Sequence, residues 1–127
     1  MSITIYGELY SSKNSKRIVR FGNRPALISS KAYLSSIKPI EQQLMLNRYK
    51  WLKEIENAYK PLKIGFRIYR KTKRAWDWLN IGQGISDLMV KCGWLPDDNV
   101  YEYIPTLIDW KIDKNNPRVE IFLIKNQ

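Results

Sequence analysis

The 127-residue sequence predicts an α/β (α+β) fold in a single domain, 1–127: a small mixed β-sheet with an N-terminal hairpin and two main helices packed on it. Three observations carry this expectation. Apolar residues recur at helical spacing between Tyr33 and Ala58, the period drops to two after Pro61, and a capped amphipathic stretch separates the later strand segments. The length suffices for one core and not for two, and no linker-like or repeated segment divides the chain.

The elements follow in order. Met1 to Leu9, with Ile3 and Ile5, reads as a first strand, and the polar run Ser11 to Lys16 as a loop. Arg17–Phe21 and Ala26–Ser29 form a basic hairpin turned by Gly22-Asn23-Arg24-Pro25. Ser29 and Ser30 suit the cap of a long helix carrying Tyr33, Ile37, Ile40, Leu44, Trp51, Ile55 and Ala58 on one face. Pro39 either kinks that helix or starts a second one.

Leu62, Ile64, Phe66 and Ile68 alternate with Lys63, Gly65, Arg67 and Tyr69, the pattern of a strand with one face on the core. It leads into the basic run Arg70 to Arg74. The next helix spans about Ile81 to Cys92, with Asn80 as N-cap, Gly93 just past its end, and Ile81, Ile85, Leu88, Met89 and Cys92 as its apolar stripe. Asn80, Gln83, Asp87 and Lys91 occupy the opposite face. Strands at Tyr103–Ile112, bent at Pro105, and at Arg118–Ile124 complete the sheet.

Composition excludes several chemistries. Without histidine there is no Ser-His-Asp or Cys-His catalysis, and with Cys92 alone there is neither a zinc cluster nor an intrachain disulfide. A metal would have to be held by oxygen, which suits magnesium or manganese. The net charge of +10 points to a polyanion; a basic soluble domain with a protein or RNA partner is the alternative reading.

The charge is uneven. Residues 1–75 carry 17 basic and 4 acidic side chains, whereas residues 76–127 carry 5 basic and 8 acidic ones and all six aspartates. A phosphodiester enzyme needs both parts: cations for the DNA backbone and a local acidic pocket for metal. A helix packed back on the sheet would return Asp97 and Asp98 towards Asp77 at the end of the preceding strand; an adjacent aspartate pair is equally at home in a turn.

The run Arg74-Ala75-Trp76-Asp77-Trp78-Leu79-Asn80-Ile81, followed by Asp87-Leu88-Met89-Val90-Lys91-Cys92-Gly93-Trp94-Leu95-Pro96-Asp97-Asp98-Asn99-Val100, resembles the core of RusA-type Holliday junction resolvases. That family has a basic strand end, an Asp soon followed by Asn, a helix, Lys-x-Gly, and Asp-Asp before a strand. The spacing from Asp77 to Asp98 matches without a gap, and about 30 residues are motif-like; the order of elements agrees over most of the chain.

The resemblance implies a small dimeric α/β endonuclease that uses magnesium to cut four-way DNA junctions. It makes Asp77, Asp98 and the adjacent Asp97 the catalytic, metal-binding carboxylates. Two positions depart from the family pattern: Leu79 stands where the best-known members have a second Asp, and Gln83 where they have an active-site lysine. Either Asn80 and Asp87 complete the metal site in a variant subfamily, or the protein binds junctions without cutting them. Lys71, Lys73 and Arg74 beside the site, and Lys13, Lys16, Arg17, Arg20 and Arg24 in the loop and hairpin, are the candidate phosphate contacts. Trp76 and Trp78 either position the site or DNA, or pack in the core.

No run reaches the length of a membrane span and the N-terminus lacks a secretory layout, so the expected location is the cytoplasm, with no membrane partner; such proteins are often encoded by phages or prophages.

Overall fold

The computed structural model describes residues 1–9, 16–21, 24–29 and 31–125, with side chains at 1–9 and 33–125. The elements run β1 (Ser2–Tyr6), β2 (Lys16–Phe21), β3 (Arg24–Ser29), α1 (Lys31–Leu46), α2 (Arg48–Ile55), β4 (Leu62–Arg70), α3 (Trp78–Lys91), β5 (Tyr103–Ile112) and β6 (Arg118–Leu123). The fold is the mixed α+β arrangement expected. The main sheet has the order β1-β6-β4-β5, and β2 and β3 form a separate antiparallel pair.

β4 is an inner strand because one of its faces is wholly apolar. Leu62, Ile64, Phe66 and Ile68 are at most 2% exposed, and they meet Ile3 and Ile5 of β1, Val119 and Ile121 of β6 and the apolar stripe of α3 in one core. β6 runs antiparallel to both β1 and β4, whereas β5 runs parallel to β4. A parallel neighbour needs a crossover, and α3 supplies it. The turn after β5 then passes around the end of β4, where the Asp113 N–H donates to the Arg70 carbonyl at 2.8 Å.

β5 carries an irregularity at a different place from the one expected. Phe66 pairs with Leu107 and Arg67 with Asp109, so Ile108 is an extra residue bulged from the ladder. A Cβ on Gly65 would lie 2.5 Å from Phe122 Cζ and 2.9 Å from Ile108 Cγ1; bare glycine lets both side chains close over the sheet. Pro105, by contrast, sits in regular ladder. The Glu102 carbonyl accepts from Leu62 N–H, so every second residue from it faces β4 and the Pro105 nitrogen faces the open edge, where no bond is lost.

The long helical stretch also breaks elsewhere. Pro39 lies inside α1, and Ser35, whose carbonyl loses a donor to it, is exposed to water. The break falls at Asn47. Its Nδ2 donates to the Gln43 carbonyl at 2.8 Å, the local side-chain bond by which Asn competes with helix geometry, while its own carbonyl accepts from Trp51 N–H. The result is three helices where two were expected, with Tyr33, Ile40, Leu44 and Trp51 buried.

The strands of the basic hairpin reach further than expected, since Arg24 and Pro25 pair with Phe21 and Arg20. Ser29 is the last residue of β3, and Lys16 opens β2 rather than closing a loop. The expected loop at 11–15, the turn residues Gly22 and Asn23 and the cap residue Ser30 lie outside the described residues.

Candidate functional site between helix α3 and strand β5

α3 begins three residues earlier than the sequence pattern indicates, because Asp77 and not Asn80 is its N-cap. Asp77 has extended backbone angles, its Oδ1 accepts from Leu79 N–H at 3.0 Å, and its carbonyl accepts from Ile81 N–H at 3.0 Å. Asp77 therefore stands at the helix entrance and not at a strand end. Asn80 Nδ2 donates to Asp77 Oδ2 at 3.2 Å, which joins two of the candidate ligands directly.

The other end of α3 matches the expectation. Gly93 takes a φ of +79°, the left-handed conformation that glycine adopts without strain. Its N–H donates to the Val90 carbonyl and that of Trp94 to the Met89 carbonyl, which closes the helix and turns the chain towards Asp97 and Asp98.

Asp98 returns to the exposed face of α3. Gln83 Nε2 donates both to Asp87 Oδ1, at 2.8 Å, and to Asp98 Oδ2, at 3.3 Å. One amide thus holds together a carboxylate from the helix and one from the loop. Asp97 is turned inwards on its own loop: it accepts from Asp98 N–H at 2.7 Å and from Asn99 Nδ2 at 3.0 Å. These bonds, the backbone one foremost, hold its carboxyl below the ordinary aspartate range.

Beside this pair lies an open cleft of about 190 Å³, lined by Leu79, Gln83 and Ser86 of α3, by Asp98, and by Tyr103 and Pro105 of β5. Its floor is a buried hydroxyl pair. Ser86 Oγ donates to the Gly82 carbonyl at 2.8 Å, so the Tyr103 hydroxyl, 2.5 Å away, donates to Ser86 Oγ. Burial pushes the Tyr103 phenol up to about 12, and the negative charges of Asp98 and Asp87 add to the effect.

The structure accordingly sorts the sequence candidates into Asp77 with Asn80, Asp87 with Asp98 through Gln83, and Asp97 on its own loop. Among the described residues no group of three or more His, Cys, Asp or Glu side chains is arranged to hold a metal ion. The donors fit a sparser arrangement. Magnesium is commonly held by one or two carboxylates, with water and substrate phosphate completing its shell, and Asp87 and Asp98 already share one electropositive group, the Gln83 amide.

The basic residues divide likewise. Arg70, first of its run, is used structurally: it pairs with Glu8 at 3.2 Å, donates to the Leu9 carbonyl at 2.6 Å and lies over the Trp76 ring. Lys71, Lys73 and Arg74 are exposed, and among the described residues no carboxylate pairs with their side chains. Lys13, and the side chains of Lys16, Arg17, Arg20 and Arg24, lie outside the described residues. Trp76 meets Trp110 edge-on and is a packing residue, whereas Trp78 both packs against Phe66, with ring centroids 5.7 Å apart, and lines the cleft beside Gln83.

Sequence reasoning missed Ser86 and Tyr103 as the floor of the cleft. A hydroxyl on the otherwise apolar face of α3 was the available sign of a buried polar partner. No helix among the described residues is long and apolar enough to cross a membrane. Comparison of the chain with protein-family models and with curated proteins gives no match.

Proposed function

We propose that the protein is a magnesium-dependent endonuclease acting on four-way or otherwise branched DNA, as its resemblance to RusA-type resolvases implies. The observation that carries the proposal is the double hydrogen bond of Gln83, which holds Asp87 and Asp98 around one electropositive point beside an open cleft. Asp87 and Asp98 would hold the ion, while Asp77 and Asn80 form a separate oxygen pair roughly 10–15 Å further along the same helix at about 1.5 Å per residue. Bound magnesium, or manganese in its place, supplies a water of lowered pKa and neutralises charge on the phosphate. Lys71, Lys73 and Arg74 hold neighbouring phosphates, and the dimer implied by the family matches the near-symmetry of a junction. The proposed setting is the cytoplasm of a bacterium, with the protein encoded by the host or by a phage.

A second reading, a junction-binding protein without cleavage, is favoured by Leu79. It is 77% exposed in the first turn of α3, where the family pattern has a carboxylate.

One experiment tests both. Purified protein is incubated with an end-labelled four-way junction in magnesium or in EDTA, beside Asp87→Asn and Asp98→Asn variants. Paired magnesium-dependent nicks that both substitutions abolish support the nuclease. Junction-selective binding without nicks supports the second reading, and absence of junction-selective binding overturns both.

A further inference from the structure

A second opening lies at the same end of the main sheet as the Gln83 cleft. The chain leaving α2 crosses that end to enter β4, where Leu62 N–H donates to the Glu102 carbonyl at 2.9 Å. The end of β6 passes it in the other direction, with Ile124 N–H donating to the Lys63 carbonyl at 2.7 Å. Between the two segments is a cavity of about 260 Å³ with Pro61, Leu123 and Ile124 in its wall.

Its side chains define a ligand. Tyr59 also lines it and is 91% exposed, so its ring is free to take a flat partner. Lys63 and Lys125 are exposed, and among the described residues neither has a carboxylate partner. The nearby Lys60 differs, since it is bonded to Glu102. No carboxylate lines the cavity. An apolar wall, one open aromatic ring and two cations together suit a planar body that carries negative charge. The volume lies just under the roughly 300–1,000 Å³ that encloses a whole drug-sized molecule, which limits that body to one unit.

We propose that this cavity holds a single unpaired nucleotide of a DNA strand, its base stacked on Tyr59 and its flanking phosphates on Lys63 and Lys125. A base within a duplex has both faces covered by its neighbours, so the site selects nucleotides freed from the stack. Leu123 of β6 and Tyr103 of β5, which line the two openings, are two strand spacings apart, about 10 Å across the sheet. That is about three stacked steps of one strand at about 3.4 Å each, so a strand at the Gln83 cleft reaches the cavity within a few nucleotides. The net charge of +10 favours the same class of ligand. The site rests on its own side chains and stands whether or not the neighbouring cleft cuts.

Fluorescence anisotropy tests it with a labelled oligothymidylate of about 12 nucleotides, beside a probe of the same length made wholly of abasic units. The titrations are run in EDTA, so cleavage plays no part. Both probes carry the same phosphates, and the ratio of their affinities reads the stacking. That ratio is expected to be about tenfold for the parent protein. Tyr59→Ala is expected to bring it close to unity and to leave the abasic probe bound as before. Lys63→Gln with Lys125→Gln is expected to weaken both probes alike and to flatten their dependence on salt. All three side chains are exposed, so the variants keep the fold, which thermal melting checks. In a second measurement the oligonucleotide carries iodouracil at mid-strand, and irradiation is expected to place the adduct on Tyr59. A parent ratio near unity, or one that Tyr59→Ala leaves unchanged, overturns the proposal, as does an adduct confined to other residues. Labelling of Tyr59 by iodouridine monophosphate but not by the oligonucleotide makes the ligand a free nucleotide and overturns it as well.

Discussion

Trp51 of α2 and Trp94 beyond α3 lie stacked, with ring centroids 4.8 Å apart and planes inclined by 15°. Each indole N–H is also satisfied: Trp51 Nε1 donates to the Trp94 carbonyl at 3.0 Å, and Trp94 Nε1 to the Leu44 carbonyl at 2.6 Å. The pair is under 2% exposed and pins the loop that carries Asp97 and Asp98 to the helical layer. Trp94→Ala removes the ring and orphans a buried carbonyl, and is expected to cost about 4 kcal/mol in urea unfolding.

Asp77 separates capping from chemistry. Asn is as good an N-cap as Asp, so Asp77→Asn is expected to leave the denaturation midpoint almost unchanged, whereas Asp77→Ala loses about 1 kcal/mol. Under the nuclease reading Asp77→Asn nonetheless abolishes nicking. A variant with full stability and full activity would restrict Asp77 to its cap.

Tyr103 makes stability fall in alkali. Its phenol is raised in the folded protein to about 12, so the unfolded chain releases this proton first. The stabilisation is complete below about pH 10 and declines by roughly 2–3 kcal/mol as pH rises towards 12. Urea unfolding across that window, compared with Tyr103→Phe, measures it; the variant is expected to lack this part of the decline.

Gly65→Ala is expected to destabilise the fold by about 1–3 kcal/mol, because the added methyl runs into Phe122 and Ile108 on the open face of the sheet. Phe122→Leu in the same chain relieves the ring contact and should recover part of the loss in thermal melting.

Local features were legible in the sequence and relational ones were not. The stripe of α3, the Gly93 stop and the alternation of β4 are set by neighbours within one or two turns, and the structure has all three. The start of α3 was misplaced because Asn80 and Asp77 are both competent caps and only the tertiary seat of Trp78 on Phe66 decides between them. The Ile108 bulge depends on Gly65 in the neighbouring strand and Phe122 in the next, and no pattern within β5 announces it. At the site, the carboxylate-rich region could be read from the chain, but which carboxylates meet could not. Asp87 was proposed as an accessory, and it is the one that shares Gln83 with Asp98.

The place of β6 in the sheet sets a timetable for synthesis. β6 is formed from residues 118–123, yet it lies between β1 and β4 and, among the described residues, is the strand that pairs with β1. While a ribosome is still making the preceding residues, β1 has nothing to zip against and one border of β4 stays bare. β4, α3 and β5 can associate as they emerge, but the sheet as a whole closes only once residues 118–123 have been released.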